Sequence, residues 1–140
     1  MNRCTLEAGA IIFYEKFAGY EGLKDRFFVV AANESPSVHC LTTTTRLHAE
    51  TNPRLATEFC AIDDGECCLP KRCFVDFRQI YTFDDIQMSS YLRSKRVKEI
   101  GRLPAEIIGR IEAALRGSRI LSEAEKEPLL EGLRSAMGLS

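Results

Sequence analysis

Apolar residues in the first hundred positions come in short runs of alternating or β-branched character, and those beyond come in helical stripes. Residues 9–17, GAIIFYEKF, follow a glycine with aromatic and β-branched side chains, which predicts a first strand. The polar connection AGYEGLKD leads into RFFVVAA, an apolar run bounded by Asp25 and Asn33 and short enough for a strand buried on both faces. The turn NESPS separates it from VHCLTTTT, a third strand that closes in four threonines. After a loop holding Asn52 and Pro53, EFCAID and CFVDF supply two further strands around the turn DDGECCLPK. In CFVDF, Cys73, Val75 and Phe77 share one face and Asp76 takes the other, the alternation of a half-exposed strand.

At Gly101 the period changes. LPAEIIGRIEAALRGS places Pro104 in a first helical turn and Ile107, Ile108, Ile111, Ala114 and Leu115 on one stripe, ending at Gly117. A second helix is predicted to start at Ser122, which forms a capping-box pattern with Glu125 and precedes an apolar face of Leu129, Leu130, Leu133 and Met137. Pro128 falls inside it and is expected to limit or kink it. The layout is about five or six short strands followed by one or two helices. It predicts a mainly β, α+β protein: a small, partly open antiparallel barrel closed by helical packing.

Composition narrows the function classes. A chain of 140 residues suits a single domain, with the strands in about 9–86 and the helices in 103–138. No stretch approaches the roughly 18 apolar residues of a membrane span. The apolar patch near the N-terminus runs at once into Glu15 and Lys16, unlike a signal peptide, so no membrane partner and a cytoplasmic location are expected. With 19 basic against 20 acidic residues the net charge is -1, so any nucleic acid must be met locally. The best local candidate is RSKRVKEIGR, an apparent loop carrying Arg93, Lys95, Arg96, Lys98 and Arg102, although such a run also reads as a solvated surface. Six cysteines raise disulfide or zinc readings. Without a secretory signal the thiols should stay reduced, and Cys60, Cys67, Cys68 and Cys73 contain no C-x2-C pair, so no cofactor or metal is expected. Cys40 and Cys73 fall inside strands, where cysteine packs as a small hydrophobe.

Candidate chemistry gathers at the entrance of the second strand. Lys24, Asp25 and Arg26 stand directly against the buried run 27–32. A planar guanidinium suits the crowded, doubly negative phosphorane formed when RNA is cut by its own 2′-hydroxyl. A threonine hydroxyl facing it would hold a phosphate oxygen or orient the attacking group without adding charge. Proton transfer would need a further group, for which His39 and His48 are the histidine candidates. The plainer alternatives are a solvated loop arginine and threonines chosen for the pleat.

In order and spacing, GAIIFYEKF with GLKDRFFVVAA, then CLTTTTR, then CFVDFRQIYTFDD and KEIGRLPAEIIGRIEAAL, together resemble the PemK/MazF family of toxin endoribonucleases over roughly residues 9–116. The resemblance implies an SH3-like barrel that dimerises, cleaves single-stranded RNA without a metal, and is silenced by a cognate antitoxin laid across the RNA groove. The family's catalytic arginine then falls on Arg26 and its catalytic threonine on Thr42 or Thr43. Lys24 and the basic stretch with Arg93, Lys95 and Arg96 would bind RNA, and Gln79 matches a family glutamine in the groove. The chain departs from the pattern in several places, and the helix added after Gly117 lies beyond what the resemblance covers. Phe27 stands where many members have proline, Asp25 is placed to pair with Arg26, and the stretch from Ser89 to Lys98 is longer than the family loop. A degenerate, non-cleaving binder of a protein or peptide partner is therefore the alternative, and a zinc-stabilised structural protein the third.

Overall fold

The computed structural model of the chain describes residues 4–19, 22–45 and 52–138. Three long strands form its centre: β1 (Ala10–Gly19), β2 (Gly22–Glu34) and β3 (Ser37–Thr44). They run antiparallel, with Ile11 opposite Val29 and Val30 opposite Cys40. Four shorter strands follow, β4 (Phe59–Ile62), β5 (Cys73–Asp76), β6 (Tyr81–Asp84) and β7 (Val97–Arg102), interleaved with helices α1 (Asp85–Ser94), α2 (Ala105–Arg116) and α3 (Glu123–Ala136). The seven-stranded sheet has the order β4-β5-β3-β2-β1-β7, and β6 pairs with β3 beside β5. It is open, and the expected mainly β, α+β architecture with C-terminal helices is present.

Apolar side chains on both faces of β2 give the sheet two cores. Val29, Ala31 and Ile11 face a layer built from α2 and α3, with Ile107, Ile108, Ile111, Leu115, Leu129 and Leu133. Phe28, Val30, Ile12 and Tyr14 face the other way, toward Val38, Cys40, Met88 and Val97. The run RFFVVAA is thus buried on both sides, as its continuous apolarity predicts.

Close backbone approaches set the two covers. On α3, a Cβ at Gly132 would lie 2.2 Å from the carbonyl oxygen of Ala31, so glycine lets the helix sit directly on β2. On β7, a Cβ at Gly101 would lie 2.5 Å from Sγ of Cys68, so the loop between β4 and β5 reaches across to the far edge strand. Arg110 of α2 anchors that loop, donating to the Ala61 carbonyl at 3.4 Å and pairing with Glu66.

Local signals name some elements and miss others. The capping box of α3 is complete, with Glu125 N–H donating to Ser122 Oγ at 3.1 Å and Ser122 N–H donating to Glu125 Oε1 at 2.9 Å. Pro128 neither starts nor ends α3, which runs through it. The expected loop from Ser89 to Lys98 is instead the body of α1 and the start of β7. The polar sequence of α1 hides it: among its apolar residues only Met88 is fully buried, Tyr91 and Leu92 being half-buried and Ile86 exposed. Its Asp84 cap accepts from Gln87 N–H at 2.9 Å. β7 is held by β1, far away in sequence, and carries no local strand signal of its own. No described helix is long and apolar enough to cross a membrane.

Candidate functional site

β2 and β3 part company at Phe28 and Thr42, their last ladder pair. Beyond it Thr43 and Thr44 turn to β5, opposite Val75 and Phe74, while β2 continues its pairing with β1. A cavity of about 270 Å³ occupies the resulting wedge, lined by residues 24–27 of β2, 43–45 at the end of β3, and 69–71 with Cys73 from the loop that enters β5. The wedge is pinned at its apex, where the Thr43 hydroxyl donates to the Phe27 carbonyl at 3.3 Å in place of a ladder bond.

The fold therefore brings Arg26, Lys24 and Thr43 to one cavity. Thr42 and Thr43 are neighbours with different environments. Thr42 pairs with Phe28 on the strand and its hydroxyl donates to the Thr43 carbonyl at 3.4 Å, whereas Thr43 lines the cavity. Lys71 is a further cation at the rim that sequence reasoning passed over, since the turn DDGECCLPK reads as a connection. Asp25 has a task of its own: its carboxylate accepts from Lys16 N–H at 2.9 Å, bracing the bulge of β1 where Lys16 has φ 52°.

Other predicted residues lie elsewhere. Gln79 is exposed between β5 and β6 and does not line the cavity. Arg93 lies in the last turn of α1 and Lys95 forms its left-handed cap. Arg96 stacks over Tyr91 and Tyr14, 5.1 Å and 5.7 Å from the ring centres. With Lys16 and Leu23, Lys95 and Arg96 border a separate hollow at the opposite side of the β1–β2 hairpin.

Burial, with Cys67 and Cys60 adding, pushes the Cys73 thiol up to about 11, so it faces the cavity protonated and weakly nucleophilic. His39 sits far back on β3, between Thr82 Oγ1 at 3.0 Å and Glu34 Oε1 at 3.4 Å. Thr43 lies four positions further along the strand, about 13 Å away. The other candidate, His48, lies outside the described residues. Among the described residues no three histidine, cysteine or acidic side chains converge in a way that would hold a metal ion.

Neither a protein-family model nor a curated protein sequence matches this chain.

Proposed function

We propose that this protein is an endoribonuclease that cuts single-stranded RNA at the β2–β3 wedge, in the manner of the toxin of a toxin–antitoxin pair. The observation that carries the reading is that Arg26 and Thr43, the arginine and one of the two threonines the sequence resemblance marks for catalysis, come from different strands to line one cavity beside Lys24 and Lys71.

The chemistry assigned to the wedge is transesterification. The 2′-oxygen of a nucleotide attacks its own 3′-phosphorus and gives up its proton, the bond to the 5′-oxygen breaks, and that oxygen takes a proton as it leaves. The products are a 2′,3′-cyclic phosphate and a 5′-hydroxyl. The guanidinium of Arg26 offers planar donors to the phosphorane oxygens, where charge accumulates. Thr43, whose own proton goes to the Phe27 carbonyl, accepts from the attacking 2′-hydroxyl and orients it, and Lys24 and Lys71 hold the strand in register. Arg93 and Lys95 contribute to the field that draws RNA to this end of the sheet. Under this reading the partners are single-stranded RNA, an antitoxin that occludes the wedge, and a second copy of the chain. Incubating the protein and its Arg26→Ala variant with a long, weakly structured RNA in excess EDTA, and mapping the fragment ends, tests the reading. Cyclic-phosphate and 5′-hydroxyl ends from the native form alone support it, and equal cleavage by the variant would sink it.

One observation favours a second reading, a wedge that binds a partner without cutting. The described histidine is committed to Thr82 and Glu34, well away from Thr43, so the wedge lacks it as a proton carrier. Folded protein that binds RNA or a peptide but leaves RNA intact would select this alternative.

A further inference from the structure

The strand register lines up three side chains next to the wedge. Phe13 of β1 is opposite Phe27 of β2 on one side and Lys98 of β7 on the other, so all three project from the same face in one row. The two rings touch, with centroids 5.1 Å apart and planes inclined at 53°. They are separate from the large aromatic cluster of Tyr14, Phe17 and Phe28, which belongs to the opposite face.

This row sits where the cover of the sheet stops. One level further in, Ile11 and Val29 are fully buried and Gly101 lies under Cys68. At the level of the row, both phenylalanines are half-buried and Lys98 is exposed. Phe27 also lines the wedge, so the ring pair continues directly into that cavity, which Arg26, opposite Tyr14 in the register, borders from the other face of β2. Cations flank it on both sides, Lys98 beyond Phe13 and Lys24 and Lys71 at the cavity. Glu99, the nearest acid on β7, is paired with Ile12 and points to the other face.

We propose that Phe13 and Phe27 form a stacking platform for a nucleobase of single-stranded RNA, with the phosphate on one side held in the wedge cavity and the phosphate on the other met by Lys98. The assignment rests on the RNA reading above and extends it to a base-binding subsite. Aromatic faces between cations suit a single strand because every base presents a π-face, while the phosphates supply the charge. From Lys98 on β7 to Phe27 on β2 the row spans two strand spacings, about 10 Å, which accommodates a base between its two phosphates.

The probe is a short, uncleavable 2′-O-methyl RNA carrying 2-aminopurine at successive positions, together with versions made abasic at each position. With native protein, the emission should be quenched at one or two adjacent positions, and an abasic site there should weaken binding about tenfold. Phe13→Leu should lose about the same factor and no longer distinguish the abasic oligomer. Lys98→Gln should lower the salt slope of binding by about one. The quenching requires no variant, so it stands even if Phe13→Leu folds poorly. Tight binding without quenching, or with Phe13→Leu unchanged, overturns the platform and leaves the RNA reading standing. Absence of binding by folded native protein overturns the RNA reading and the platform with it.

Discussion

Thr43 and Phe27 are joined by a single bond, hydroxyl to carbonyl at 3.3 Å, at the point where β3 leaves β2. That bond closes the apex of the wedge and fixes how Thr43 faces the residues of β2. Thr43→Val removes the donor while keeping the shape, leaving a part-buried carbonyl unsatisfied, so it should cost about 1 kcal/mol of stability in urea melts. Thr43→Ser should restore it. If Thr43 orients the attacking 2′-hydroxyl, RNA cleavage should follow the same order, with serine active and valine impaired.

Arg26 offers a sharper test of mechanism than of affinity. Arg26→Lys keeps the charge but loses the planar fork, so kcat for RNA cleavage should fall by about a hundredfold while KM changes little. A lysine variant with native kcat would reduce the role of Arg26 to simple charge.

Arg96, by contrast, is expected to act on the fold. Its guanidinium covers Tyr91 and Tyr14, and its backbone carbonyl accepts from Glu15 N–H at 2.9 Å. Arg96→Gln should lower stability by about 1 kcal/mol with the salt dependence of RNA binding unchanged. A lower salt slope would instead place Arg96 on the RNA.

Glu58 predicts a pH dependence. It is buried beneath the junction of α2 and α3 at 1% exposure. Desolvation pushes its carboxyl up, but hydrogen bonds from Ser118, the Arg119 N–H, Thr57 and the Ile120 N–H outweigh it and hold the value below the ordinary one. A carboxyl lowered in the folded state stabilises the fold above its unfolded value and loses that contribution as pH falls through the folded one. Glu58→Gln should therefore cost about 2 kcal/mol near neutral pH and progressively less as acid protonates the native carboxylate. Denaturation midpoints across that range, compared between the two proteins, will show whether the gap closes.

Gly132 tests the seat of α3 on the sheet. In an open helix Gly→Ala gains about 1 kcal/mol. Here the added carbon would meet the Ala31 carbonyl oxygen at 2.2 Å and the Ala32 side chain at 3.0 Å, and a strand carbonyl cannot swing aside. Gly132→Ala should therefore be net destabilising by about 1–3 kcal/mol, read as a lower midpoint in thermal or urea unfolding.

Elements with strong local patterns are written in the chain. The continuous apolarity of RFFVVAA marks a doubly buried strand, the stripe Ile107, Ile108, Ile111 and Leu115 marks α2, and Ser122 with Glu125 marks the start of α3. Each depends on contacts within a few residues, or on a burial requirement that the side chains themselves express. α1 escapes because its apolar face is narrow, and β7 because its pairing comes from β1.

The site divides along the same line. Sequence order alone singles out Arg26 at the mouth of a strand and a threonine within 42–45, because charge against a buried run and the family-like spacing are both local features. Which of the two threonines lines the cavity with Arg26, that Lys71 joins them, that Gln79 and Arg93 stand apart, and that Phe13, Phe27 and Lys98 form one row were decided by strand register and by the divergence of β3 from β2. Those are long-range pairings, and a shift of one residue would turn every side chain to the opposite face, so the chain carries this information only once folded.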